Sequence, residues 1–131
     1  MVDALRTYFL LSTELTSLIG ARFYQITAQA GLPDGTSYVV ARITGRHTHR
    51  NVLGARPTDA TTVQISSFAR TVAEAKTIRD AVYAVISRDG FSGSWGSVAV
   101  QFANWTDEVE IYHDHILMVE IQLILSVTYT V

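Results

Sequence analysis

Six acidic or imidazole side chains crowd into one short stretch: Asp107, Glu108, Glu110, His113, Asp114 and His115. Histidines two residues apart project from one face of a strand, and a nearby carboxylate could complete a metal site. The spacing matches no metal-binding signature, however, and a polar turn with two exposed imidazoles accounts for the same residues. His47-Thr48-His49 repeats the pattern with fewer carboxylates around it. Neither group is assigned a metal or a cofactor. The acids Asp107, Glu108 and Glu110 could serve as a catalytic pair, but they read as a solvated turn. Serine and threonine are abundant, yet no G-x-S-x-G elbow holds one of them. No G-x-x-x-x-G-K phosphate loop is present either, and there is no cysteine. No catalytic residue is assigned, and the reading is that the chain is not an enzyme.

A second group is basic. Arg46, His47, His49, Arg50 and Arg56 lie within Gly45–Ala60, the longest polar insertion. Such residues can contact a phosphate backbone. No aromatics interleave with them as single-strand binding would need. A net charge of −2 gives no basic surface overall. The stretch reads better as a loop that orders against a neighbouring subunit. A structureless loop of that length is uncommon in a compact domain and usually functional.

These groups must be carried by elements that periodicity locates. Ile116–Val131 alternates with period 2. Val119, Ile121, Leu123, Leu125 and Val127 fall on one face, and Met118, Glu120, Gln122 and Ile124 on the other. Fully extended, those residues would reach about 53 Å, against a radius of gyration of about 14 Å for a domain of this size. The strand must bend, break or reach past its own domain. Its second face, with Met118, Glu120, Gln122 and Ile124, joins the Arg46–Arg56 group as the expected interface.

Upstream, Val2–Leu11 suits a helix with Leu5, Tyr8 and Phe9 on one face. A short turn, Glu14–Ile19, follows and stops at Gly20. Arg22–Ile26, Ser37–Thr44, Thr61–Ala69 and Val98–Trp105 read as strands. Phe91–Ser97 reads as a Gly/Ser loop. Thr71-Val72-Ala73-Glu74 is a capping box that opens the clearest helix, with Ala75, Ile78, Ala81, Val82 and Val85 as its apolar stripe. The turn before the final strand has two candidate positions, Thr106-Asp107 and His113-Asp114. The expected fold is α+β: a mostly antiparallel sheet of four to five strands with two helices packed on one face.

Composition sets the remaining bounds. One domain is the natural count for 131 residues. The chain is 48% hydrophobic and 17% charged, rather apolar for a lone soluble monomer. An excess of apolar surface often marks an interface. Its apolar runs are broken with β rather than helical periodicity, so no membrane span is expected. No secretory signal is visible, and the lack of cysteine fits synthesis in the cytoplasm. Nine Arg stand against one Lys, a bias that suits interfaces.

The order of these pieces resembles the tail completion proteins of long-tailed bacteriophages, the family of tail terminators and tail-to-head joining proteins. Leu5-Arg6 leads to Glu14-Leu15-Thr16-Ser17-Leu18-Ile19-Gly20 and then Arg22-Phe23-Tyr24, where the family has a leucine-rich turn, a glycine and an Arg-aromatic pair. Tyr38-Val39-Val40 follows a loop with Leu32-Pro33. Ser67-Phe68-Ala69 runs into Thr71-Val72-Ala73-Glu74-Ala75, like the family's strand and helix start, and a long strand closes the chain.

The resemblance implies a structural virion protein of the tail or neck. It would form a homo-oligomeric ring, expected to be a hexamer, that ends tail tube growth and joins the tail to the head connector. Its partners would be its own copies, the tail tube protein and the head-tail connector protein, with no membrane. Two alternatives stand beside it. One is a neck component whose Arg-rich loop contacts DNA in the channel. The other is a small metal-dependent enzyme using His113 and His115.

Overall fold

The computed structural model describes residues 2–25, 36–49, 58–114 and 116–130. Among them three helices and six strands form an α+β unit: α1 (Val2–Leu10), α2 (Thr13–Ile19), β1 (Phe23–Gln25), β2 (Tyr38–His49), β3 (Thr58–Ala69), α3 (Val72–Val85), β4 (Phe91–Trp95), β5 (Val98–His113) and β6 (Met118–Thr130). The strands make one sheet in the order β1-β2-β3-β6-β5-β4. Every neighbouring pair is antiparallel except β1 and β2, which run parallel. The expected four to five strands are thus six, and the expected two helices are three.

Each correction has a local cause. Ser12 caps α2, its hydroxyl accepting from the Leu15 amide at 3.2 Å, so Thr13–Ile19 is a helix of its own. Gly20 ends it at φ 60°, a backbone conformation that costs glycine little. The Gly/Ser stretch at Phe91 is strand β4, because its backbone pairs with β5 and Trp95 at its end is fully buried. Its middle residues, Ser92 to Ser94, are exposed, so they carry no hydrophobic alternation to reveal a strand. Gly96, at φ 60°, turns β4 directly into β5.

Where it is described, at 45–49 and 58–60, the polar insertion at 45–60 is strand as well. β2 continues to His49 and β3 starts at Thr58, paired across a bulge between Ile43 and Gly45. Of the two candidate turns, the second is used. β5 runs unbroken in direction to His113, and Asp114, Ile116 and Leu117 lie in the turn that follows, with Leu117 at φ 51°. Thr106-Asp107, the other candidate, is the site of a bulge in β5.

The final strand is the centre of the sheet. β6 pairs with β3 from Val119 to Thr130 and with β5 from Met118 to Tyr129. It neither breaks nor offers an edge. Val119, Ile121, Leu123, Leu125, Val127 and Tyr129 face the helices and are buried. α3 lies on β3 and β6, bringing Ala75, Ile78, Ala81 and Val82 onto that face. Thr71 caps α3 by accepting from the Glu74 amide at 3.2 Å, as the capping box predicts. Trp105 holds the end of α3 through its indole N–H, which donates to the Ile86 carbonyl at 2.8 Å.

α1 reaches both margins of the sheet. Phe9 stacks on Phe23 of β1 at 5.5 Å, while Tyr8 packs on Phe91 and Trp95 of β4 at 5.6 and 6.1 Å. β1 lies beside the start of β2, and β4 beside the start of β5, which runs the opposite way. They therefore occupy diagonally opposed corners. A twisted sheet lifts one pair of diagonal corners towards its covered face, and α1 bridges that pair. Phe9 is fully buried. Phe9→Ala is expected to lower the unfolding free energy by about 3–5 kcal/mol, the usual cost of emptying a buried phenylalanine site. A denaturant melt that shifts by less than about 1 kcal/mol would mean that α1 does not secure the corners.

Candidate functional site

Among the described residues, the opposite face of the sheet carries no helix. Register places Tyr38, Val40 and Arg42 of β2 beside Phe68, Ser66 and Gln64 of β3. These adjoin Glu120, Gln122 and Ile124 of β6, and then Ile111, Val109 and Asp107 of β5. Met118 lies next to Glu120's row, opposite His113. The interface residues expected on the final strand (Met118, Glu120, Gln122 and Ile124) therefore do share one face.

Much of this uncovered face is nevertheless withdrawn from solvent. Glu120 is only 6% exposed, Gln64 8% and Ser66 3%. Gln64 and Ser66 alternate with Val63 and Ile65, a pattern that by polarity alone marks a wet face. They lie instead under a hydrogen-bonded network. His113 Nε2 is 2.7 Å from Glu120 Oε1, and Gln122 Nε2 donates to Glu120 Oε2 at 3.0 Å. Ser66 also hydrogen-bonds the carboxylate. Gln64 donates to the Ser66 hydroxyl at 3.1 Å, and Arg42 donates to Gln64 Oε1 at 3.4 Å. Three strands thus meet at one carboxylate, and Gln64 links a fourth to it.

Aromatic rings form the shelter. Tyr24, Tyr38 and Phe68 follow one another across β1, β2 and β3 at 6.2 and 4.7 Å, and the His113 ring stacks on Phe68 at 6.0 Å. To reach Phe68 from β5, His113 must span β6, and in doing so it covers Glu120. Burial pushes the Glu120 carboxyl up. The hydrogen bonds from His113, Ser66 and Gln122, together with the His113 charge, outweigh that and hold it below the ordinary carboxylate value. Tyr38 is displaced the other way, raised by burial and by the Glu120 charge.

This arrangement is built to stay, not to react. The carboxylate accepts bonds on both oxygens and is covered by rings. Among the described residues, no three His, Cys, Asp or Glu side chains converge on a point where a metal could sit. His113, expected on a polar turn, is instead half-buried in the network. His115 lies outside the described residues. Asp107 and Glu110 fall on opposite faces of β5, so they form no pair. Glu108 faces the helices, accepting from Tyr83 at 2.9 Å and from Arg79 at 3.4 Å. Burial first, and then the Glu108 hydrogen bond and charge, raise the Tyr83 hydroxyl to about 12.

The basic group is divided. Arg46 is exposed on the distal half of β2, and its guanidinium donates to the Tyr129 hydroxyl at 3.3 Å. His47 and His49 pair with Ala60 and Thr58 along the same hairpin. Arg50 and Arg56 lie outside the described residues. Tyr38, Arg42, Phe68 and His113 were not foreseen as partners of Glu120. Their alternation was readable, but the strand register that aligns them was not.

No protein-family model matches the sequence, and no curated protein does. A solved structure does share the fold. It is a chain from the virion of a native gene transfer agent (GTA) particle, with a TM-score of 0.69 over 99% of this chain and 97% of that one, at 16% sequence identity.

The Glu120 network makes a prediction with a definite sign. A carboxyl held below its ordinary value near 4.5 contributes stability that is fully present above that pH and is lost as the pH falls through the lower, folded value. Glu120→Gln should therefore flatten the loss of stability below pH 4.5. Glu120→Ala should cost about 2 kcal/mol near neutral pH, as for other hydrogen bonds to charged groups. Urea melts across pH 2–7 would check both; an unchanged acid limb in Glu120→Gln would sink the assignment.

Proposed function

We propose that this chain is a structural virion protein that acts through its surfaces. In the finer reading it forms a ring at the top of a long phage tail, ends growth of the tail tube and joins the tail to the head connector. The observation that carries the coarser reading is the end-to-end likeness to a virion chain. The finer reading rests on the sequence resemblance given above, and the geometry supports it in two ways.

First, the sheet overruns its helices. Glu110 and Tyr112 lie on the helix-facing side of β5 and are exposed, as are Ile43 and Arg46 on the corresponding side of β2. Two hairpins thus project from the body at opposed corners. Second, large apolar side chains stand in solvent on one of these projections, the β5–β6 hairpin: Val109, Tyr112, Ile116 and Leu117 are all at least 42% exposed. Exposed apolar surface grouped in this way marks association. Different patches at opposed corners favour a heterologous contact, which closes into a ring when the rotation per copy divides a full turn. On this reading the work is steric and interfacial.

Purified protein, alone or mixed with tail tubes, should then show rings, free or seated at tube ends, by negative-stain microscopy. A strict monomer that also leaves the tubes bare and growing would overturn the proposal.

A further inference from the structure

Among the described residues, two strand segments in the sheet have a neighbour on one side only. β1 covers β2 at Val39–Ala41, and no described residue pairs with the outer edge of β2 from 42 to 49. β4 covers β5 as far as Ala103, and no described residue pairs with its outer edge from 104 to 112. In such an edge, alternate residues turn their N–H and C=O outward without a partner. Long free edges are templates for another strand.

The two edges differ in charge. β2 carries Arg42 and Arg46, with no acid anywhere in the strand. β5 carries Asp107, Glu108 and Glu110, with no Lys or Arg. Resting on the ring reading above, we propose that the free edge of β2 in one copy pairs with the free edge of β5 in the next, so that one sheet continues from copy to copy.

Direction, charge and closure agree with this pairing. β2 and β5 run oppositely within the sheet, since each of the three steps between them is antiparallel. Copies with their helices on the same side would therefore meet antiparallel. Self-pairing is opposed by charge: β5 on β5 would set Asp107, Glu108 and Glu110 against their own kind, and like charges across a ladder destabilise it. β2 on β2 would do the same with Arg42 and Arg46. Charged edges repel indiscriminate partners; here the opposite signs leave one combination favourable.

Closure follows from where the free segments lie. In the rows of the sheet, β2 from 42 to 49 stands level with Ile124–Thr130 of β6, and β5 from 104 to 112 stands level with Val119–Ser126. The centres differ by between four and five residues, roughly 15 Å along the strand. Each copy adds four strand spacings, about 19 Å. The stagger is cancelled when strands tilt about 40° to the ring axis, within the 35–45° typical of closed barrels.

Hydrogen exchange on the unaltered protein tests this directly. Between free chains and rings, alternate amides in 42–49 and in 104–112 should slow by about 100-fold or more. Rings that form while both segments exchange as fast as in the free chain would overturn the edge pairing and leave the ring reading intact. Absence of rings with and without tail tubes would overturn the ring reading and this inference with it. A charge exchange gives a second arm. D107R/E110R has two basic edges and R42E/R46E two acidic ones. Each alone should fail to assemble while keeping the wild-type circular dichroism, and an equimolar mixture should form rings of alternating copies. Rings from either variant alone at wild-type concentration would count against the pairing.

Discussion

The helices are too short for the sheet they cover, and most of the molecule follows from that mismatch. α3, with 14 residues, is about 21 Å long. β5, with 16 residues, extends about 53 Å. One helix along two central strands and one across two corners bury the middle of one face and leave the rest. Burial beneath them accounts for the continuous apolar core that joins Leu5, Phe9, Ile78 and Val82 to Ile121 and Leu123. Beyond that cover the same strands must carry exposed or polar side chains, and the composition shifts accordingly from Leu123 and Leu125 to Glu108, Glu110 and Tyr112.

The uncovered face solves the same problem without a helix. A central strand needs both sides of its ladder paired and gains from both faces being dry. β6 obtains the second dry face from side chains alone. An aromatic row from Tyr24 to His113 excludes water, and the carboxylate of Glu120 collects the polar groups beneath it. A buried charge is costly unless hydrogen bonds replace its hydration. Here His113, Gln122 and Ser66 do so, and the lowered Glu120 value shows that they more than offset the burial. The result is a patch in which a buried carboxylate keeps its hydrogen bonds.

What could be read from the sequence was whatever depends on neighbours along the chain. Alternation separated the two faces of β6, the capping box fixed the start of α3, and Leu5 with Phe9 marked the buried side of α1. What depends on neighbours across the sheet was hidden. Ser92-Gly93-Ser94 looks like a loop because a short edge strand supplies pairing rather than burial. Gly45–His49 looks like a loop because its strand has left the core, so nothing selects for apolar alternation there. Gln64 and Ser66 look solvated because polarity is the usual mark of a wet face, and only the register brings Glu120 and His113 beside them. The length of the final strand was noticed, but its significance was inverted. A long alternating strand at the chain end suggested an overrun edge, whereas pairing on both sides makes it the most enclosed strand in the sheet.

That inversion changes where association can occur. If β6 had been an edge, its apolar alternation would have made the contact unselective, since any exposed strand could add to it. With β6 internal, the open edge segments among the described residues are those of β2 and β5 beyond β1 and β4, which left the core and so became free to carry charge. A charged edge cannot add to itself, and an edge of one sign accepts only the other. Interfacial charge of this kind steers and selects more than it binds. The binding itself must come from backbone hydrogen bonds along the edge and from apolar side chains such as Val109 and Tyr112 beside it. In the proposed pairing, selectivity and adhesion are carried by different atoms of the same strand.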